Sequence, residues 1–412
     1  MIYVLFALGA AAAAYQLLAL AAAVRRMAAQ RKATRERCAR PEPLPAVSIL
    51  KAVHGLDPQF CEAIRSHAAQ DYPEFEILFG VSDPQDPAIS AIERLRTEFP
   101  LLPIRLVRSR TVAPNRKVGV LADLAAEARH SVLLVNDSDI LVPPDYLRRT
   151  VAPLSNPGVG MVTCLYRARA ESLAARFEAT GIATDFAPSV LVAPLVGVSE
   201  FALGSTMVFR ASDLAAIGGF AAIADYIADD YQLSRRISAL GRRVVLSECV
   251  VETSVPEAGW TGMWRHQLRW ARTIRLSRGD GYAGLPLTNA TLWALALAAA
   301  GQWVVAAVLL GLRVTAGMVT AVGVLGDWRA IAGAWMIPFR DLFGLAIWAG
   351  GLFGSEVVWR DARLTLVREG KIVRVVRTGG RGGAGADVSG FVQAGEASSV
   401  AADPEHEGVE KK

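Results

Sequence analysis

Positions 2 to 24 are apolar and uncharged; beyond them, short apolar bursts alternate with amphipathic stretches, and long apolar runs return after position 280. A helix crosses a bilayer core of ~30 Å in ~20 residues, so the first run is long enough to span. A secretory leader carries its basic residues before the apolar run. Here they follow it, which predicts a retained anchor over 1–24 and a basic juxtamembrane linker over 25–45. From 46 to 280 the bursts predict strands at 47–50, 76–81, 104–107, 132–136, 160–165 and 244–246. Helical spacing covers 59–69, 88–98, 117–128 and 232–240. Such alternation predicts an α/β domain with a mostly parallel sheet and helices on both faces. Ligands of such sheets bind outside the carboxyl ends of the strands.

The uncharged run 281–312 predicts a second span. Runs 314–326 and 342–355 are short for a full crossing, and Asp327 and Arg329 interrupt them. All nine tryptophans lie between Trp260 and Trp359. Because tryptophan favours the membrane interface, 281–358 reads as transmembrane and interfacial helices. Seven Lys/Arg fall between Arg25 and Arg40 and seven between Arg360 and Arg381. The positive-inside rule puts both flanks, and the domain between, in the cytoplasm; two crossings between Asp280 and Trp359 satisfy it. The expectation for 359–378 is a basic cytoplasmic segment with a hairpin over 363–376, and for 379–412 a disordered tail.

Composition sharpens this picture. Of 412 residues, 52% are hydrophobic, above the ~45–50% of a soluble protein, and mean hydropathy is +0.31. The net charge of +5 is spent on the flanks of the spans, which argues against a nucleic-acid surface. Cys38, Cys61, Cys164 and Cys249 form neither a CxxC pair nor a zinc-like cluster. A disulfide framework and structural zinc are therefore not expected, and a reducing compartment is.

Candidate chemistry collects at predicted strand ends. Val81-Ser-Asp83-Pro-Gln-Asp86 follows one strand, and Asn136-Asp137-Ser138-Asp139 another. Two aspartates one position apart can hold a hard divalent ion against substrate phosphates, although turns use the same residues. Asp229-Asp230 opens an amphipathic helix, where one carboxylate can cap and the other face the cleft as a base. In His266-Gln-Leu-Arg269-Trp270 the arginine can clamp a diphosphate, while Trp270, Trp264 and Trp260 line a sugar or lipid pocket or form an interfacial belt with snorkelling arginines. Lys51 and Lys117 are phosphate contacts or solvated surface.

In order and spacing, Asp83, Asp137, Asp230 and Arg269-Trp270 resemble the D, D, D, (Q/R)xxRW series of inverting glycosyltransferases. Val47-Ser-Ile-Leu-Lys51, Gly55-Leu-Asp57-Pro58, Asn115-Arg-Lys117 and Trp359-Arg360 extend the resemblance to the ceramide glucosyltransferase family, glycosyltransferase family 21, of the GT-A fold. It covers roughly 46–366. Thr163-Cys-Leu-Tyr-Arg167, Phe186-Ala-Pro-Ser-Val190 and the segment leading to Asp229 are most similar to a bacterial hopanoid-biosynthesis branch that places N-acetylglucosamine on a hopanoid.

The resemblance implies a UDP-sugar donor, with Asp83 on the uridine and Asp137 and Asp139 on Mg²⁺ or Mn²⁺ against the diphosphate. Lys51, Lys117, Arg269 and Trp270 complete the donor site. Asp230 is the implied base, and Asp229, His266 and Trp264 the acceptor side. The implied acceptor is a membrane lipid, hopanoid (bacteriohopanetetrol type) or ceramide, and the sugar N-acetylglucosamine or glucose; the protein is integral to a bacterial inner membrane. Three positions depart from the family: His266 replaces Gln or Arg, Asp139 replaces a glycine of the animal enzymes, and Asp229 replaces Glu. A processive polysaccharide synthase shares the four motifs but needs more long spans. A non-enzymatic scaffold would have lost some of the carboxylates.

Overall fold

The computed structural model describes residues 1–39, 44–255, 258–359 and 362–377. Seven strands, β1 Val47–Ala52, β2 Phe75–Val81, β3 Ile104–Arg108, β4 Val132–Val135, β5 Val159–Arg169, β6 Met207–Arg210 and β7 Arg243–Ser254, form one sheet. Their order is β3-β2-β1-β4-β6-β5-β7. β6 runs antiparallel between β4 and β5; every other pair is parallel. The mostly parallel sheet is as the sequence predicts, except that β6 was not expected and β5 and β7 run well past their predicted ends. β6 has only four residues and ends in Arg210, so it lacks the all-apolar run of the equally short β4.

Side-chain alternation divides the core between the two faces of the sheet. Ile49, Ile77 and Leu134 share one cluster, and Leu50, Leu78 and Leu133 the other, with Leu121 and Leu124 of the helix Arg116–Glu127. All seven residues of β2 are buried, as expected of a strand covered on both faces. The first cluster also contains Ala19, Ala22, Ala316 and Ala321. The sheet thus shares a core with the apolar helices.

Four helices among the described residues are long and apolar enough to cross a membrane: Ile2–Arg35, Leu173–Val196, Trp303–Val324 and Trp328–Gly351. Three of them correct the sequence reading. The N-terminal helix continues unbroken to Ala39, so the expected linker is helical over 25–39. There Arg26 is no free juxtamembrane charge: it donates to the Leu246 carbonyl (2.9 Å) and to that of Ser247 on β7. Leu173–Val196 lies inside the stretch read as a soluble domain. The expected single span 281–312 is broken at Gly301, whose φ of +80° ends the helix Ala290–Ala299 before Trp303–Met318 begins.

A second sheet, β8 Glu356–Trp359, β9 Ala362–Leu366 and β10 Ile372–Arg377, pairs in the order β10-β9-β8. The β9–β10 turn places Glu369 and Gly370 at positive φ. Ile372 N–H donates to Asp225 O (2.7 Å) and Ile227 N–H to Gly370 O (3.1 Å), tying this sheet to the segment before Asp229. Arg360, Asp361 and the expected tail 379–412 lie outside the described residues.

Candidate active site

The carboxyl ends of β1, β2 and β4 open into a cavity of about 970 Å³, roofed by the helix Gly259–Ser277 and by Trp359, Leu364 and Val375 of the small sheet. Asp137, Asp139, Lys117, Asp229, Asp230, His266, Arg269 and Trp270 all line it. These residues span more than 150 positions of sequence, and the sheet brings them to one rim.

Asp137 lies two residues past the end of β4, and its backbone is held from two sides. Its N–H donates to Gly204 O (3.2 Å), and Lys51 Nζ donates to its carbonyl (3.1 Å). Beneath it, Asn136 Nδ2 donates to His67 Nε2 (2.7 Å), while His67 Nδ1 donates to Ala63 O (2.9 Å). Burial and the nearby Lys51 hold the His67 imidazole below its usual range, hence neutral. Asp139 accepts from Thr253 Oγ1 (2.6 Å) on β7, and burial with the Asp137 charge raises its pKa.

Lys117 reaches the site because Asn115 caps its helix, accepting from Val118 N–H (3.3 Å) and donating to Tyr226 O (2.8 Å). Gly80 lets the helix approach β2: a Cβ there would collide with Val120 and sit 3.0 Å from Leu124. Lys117 Nζ contacts Asp137 Oδ1 (2.8 Å) and Asp229 Oδ2 (2.9 Å). Burial opposes its charge, but these two carboxylates outweigh it and keep the ammonium protonated.

Asp230 accepts from Gly204 N–H (3.0 Å) and Tyr231 N–H (2.7 Å). Neither aspartate caps its helix, since the N-cap is Ala228. Burial, reinforced by Asp229 and partly offset by Lys117, pushes Asp230 up to about 6. Gly204 lies between the two key carboxylates; a Cβ on it would be 3.1 Å from Asp137 Oδ2 and 3.7 Å from Asp230 Oδ2.

The structure places three of the predicted residues, Lys51, Asp83 and Trp264, away from the cavity wall. Lys51 is fully buried and does not line the cavity; it supports the Asp137 backbone, and burial, opposed by Asp139 and Asp137, lowers its pKa to about 7. Asp83 is exposed outside the cavity, its Oδ1 accepting from Gln85 N–H (2.8 Å) within its own turn. The buried carboxylate of that cluster is Asp86, which accepts from Gly55 N–H (2.9 Å) and Ala88 N–H (2.9 Å). Trp264 packs on Phe343 (ring centroids 5.6 Å apart) away from the cavity. Asp229 lines the cavity and pairs with Lys117, which also contacts Asp137. Glu178, Gly204 and Thr253 were missed. Of these, only Glu178 carries a signal in sequence: a carboxylate in an apolar stretch is expensive and kept for a reason.

Among the described residues no group of three or more His, Cys, Asp or Glu is placed to hold a metal ion. Mg²⁺ typically takes one or two carboxylates and completes its shell with water and substrate phosphates. Asp137 and Asp139 therefore fit an ion shared with a diphosphate, and not a resident all-protein cage.

The mostly parallel sheet with a polar cavity at its strand ends is a mixed α/β architecture. The glycosyl transferase family 21 model matches residues 4–372, and the chain belongs to that family. Ceramide glucosyltransferase 1 of Caenorhabditis elegans is 27% identical over 211 residues, 50% of this chain and 45% of that protein. The beta-monoglucosyldiacylglycerol synthase of Synechocystis sp. is 28% identical over 240 residues, 56% of this chain and 48% of that one. The chain thus spans about half the length of these curated relatives. A mannosyltransferase from Pyrobaculum calidifontis, solved with GDP-Man and Mn²⁺, superposes with a TM-score of 0.46 at 21% identity, over 84% of this chain and 99% of that chain.

Proposed function

We propose that this chain is a membrane-bound inverting glycosyltransferase that moves a sugar from a UDP-sugar to a hydroxyl of a membrane lipid. The observation that carries this reading is Asp230, a carboxylate raised to about 6 by burial and by Asp229, facing Asp137 across Gly204. A base is most effective when its pKa lies near the working pH. Asp230 accepts the proton of the acceptor hydroxyl while that oxygen attacks the anomeric carbon. The bond from that carbon to the diphosphate breaks on the opposite face, and its electron pair leaves with UDP. One displacement converts an α-linked donor into a β-linked product.

Asp137 and Asp139 would hold the divalent ion, Mg²⁺ or Mn²⁺. When bound, it neutralises the charge that builds on the departing diphosphate. Lys117, kept protonated by Asp137 and Asp229, and Arg269 add fixed positive charge to the same wall. A lipid acceptor leaves the bilayer at a cost of ~0.8 kcal/mol per CH₂, so the cavity must stay at headgroup level. Exposed Trp328, Trp335 and Phe339 on the apolar helix Trp328–Gly351 suit that anchoring. The basic flanks favour a cytoplasm-facing site on a bacterial inner membrane.

For the acceptor, a hopanoid polyol is the first choice, supported by the segments around Tyr166, Pro188 and Asp229; ceramide is the second, supported by the likeness to the nematode enzyme. The full chain, reconstituted in lipid and given UDP-glucose or UDP-N-acetylglucosamine with bacteriohopanetetrol, ceramide or diacylglycerol, should yield one glycolipid identifiable by mass, β-linked by NMR. An α-linkage would overturn inversion, a polymer would indicate a synthase, and no product with any pair would overturn the reading.

A further inference from the structure

Glu178 takes no part in the chemistry above, yet it is only 2% exposed and borders the same cavity as Asp230. It sits on the helix Leu173–Gly181, which opens the apolar stretch Leu173–Val196. A buried carboxylate is costly unless its oxygens are bonded. Glu178 Oε1 accepts from His266 Nδ1 (2.6 Å) and from Gln267 Nε2 (2.7 Å). Gln267 Oε1 in turn accepts from Arg340 Nη2 (2.8 Å), on the apolar helix Ile337–Gly351. The absence of a Cβ at Gly181 leaves room for the Arg340 guanidinium. Three helices thus meet in one buried polar chain that ends at a cavity-lining imidazole. The His266 ring is further steadied by Trp270, with centroids 4.8 Å apart.

In the neutral ring, a carboxylate on Nδ1 fixes the proton there and leaves Nε2 as the hydrogen-bond acceptor. Nε2 cannot take the proton of the attacking hydroxyl, since that proton goes to Asp230. It can bond only a second donor on the same acceptor molecule. We propose that Glu178 is a positioning residue that holds His266 to read a second hydrogen-bond donor, hydroxyl or amide N–H, beside the hydroxyl that is glycosylated. Acceptors of the polyol or amido-alcohol class present such a donor; diacylglycerol, with one hydroxyl, does not. This inference rests on the lipid-transferase reading and adds an acceptor-selection rule to it.

The test compares ceramide and bacteriohopanetetrol with diacylglycerol and a hopanoid bearing a single terminal hydroxyl, using the full chain in lipid. One hydrogen bond, whose absence leaves Nε2 unpaired in the closed site, predicts a preference for the two-donor acceptors of about 10- to 100-fold in kcat/KM. In Glu178→Gln the neutral amide pairs with either imidazole tautomer and no longer dictates it. The preference should shrink by about tenfold, chiefly through acceptor KM, with kcat for the one-hydroxyl lipid little changed. In a His266→Gln background the same substitution should cost nothing further, because both changes remove one contact. Losses that multiply, or a preference that survives Glu178→Gln, would overturn the proposal. Should Glu178→Gln not fold, His266→Ala alone must abolish the preference, and its retention overturns the proposal equally. A wild-type chain that glycosylates no lipid defeats the underlying reading, whereas an active chain indifferent to the second donor defeats only this inference.

Discussion

Asp229 and Asp230 are neighbours in sequence with opposite surroundings. Asp229 is paired with Lys117 at 2.9 Å, while Asp230 accepts from the Gly204 and Tyr231 N–H groups and is pushed up to about 6 by burial and by Asp229. The base works deprotonated, so kcat/KM should rise with pH and level off above about 6. Asp229→Asn removes a charge that raises Asp230, and the acid limb should move to lower pH; a limb that stays put would sink the assignment. Asp230→Asn should lower kcat by about 10²–10⁴-fold while UDP-sugar titration changes little. Asp139→Asn removes one of the two carboxylates proposed to hold the metal and should raise the Mg²⁺ concentration needed for half-maximal donor binding by about tenfold, as loss of one charged contact does. The motifs were legible because aspartates at strand ends stand out against apolar runs. The division of labour among them was not, since it depends on Lys117, Thr253 and Gly204, which arrive from other parts of the chain.

At the scale of elements, the helix Arg116–Glu127 delivers Lys117 through its Asn115 cap and its close approach at Gly80. A methyl group at Gly80 overlaps Val120 and crowds Leu124. Gly80→Ala should destabilise the chain by about 1–3 kcal/mol, the usual cost of overpacking, and weaken donor binding as Lys117 shifts outward. Denaturant or thermal unfolding together with donor titration checks both, and an unshifted midpoint would refute the close-packing account. Strands such as β2 were readable because burial on both faces demands a continuous apolar run. β6 was not: Met207–Arg210 is four residues ending in a charge, without the unbroken apolar run that marks the equally short β4. Leu173–Val196 fell inside the stretch read as the α/β domain; Arg176, Glu178 and Asp185 interrupt its apolar pattern, and the structure partners Glu178 internally, with His266 and Gln267.

In the molecule as a whole, the apolar helices are joined by a buried ion pair. Arg313 Nε and Nη2 donate to Asp341 Oδ2 (2.9 Å) and Oδ1 (2.6 Å), both side chains being about 5% exposed or less, while Arg313 Nη1 donates to Thr184 O (2.8 Å). Three apolar segments are thereby locked in register beside the sheet. Arg313→Met should cost about 3–5 kcal/mol by leaving Asp341 unpaired, and Asp341→Leu added to it should restore much of that loss. Thermal unfolding in detergent measures both, and a double variant no better than the single would argue against the pair as the cause. The sequence by itself determined the α/β alternation, the apolar anchor and the order of the acidic motifs, because periodicity and strand-end aspartates are local properties. Only the tertiary structure decided that Lys51 supports rather than contacts the site, that Asp83 stands outside it, and that Glu178 grips His266. Burial, ion pairing and shared hydrogen bonds depend on which distant residues meet, and a linear pattern does not encode those meetings residue by residue.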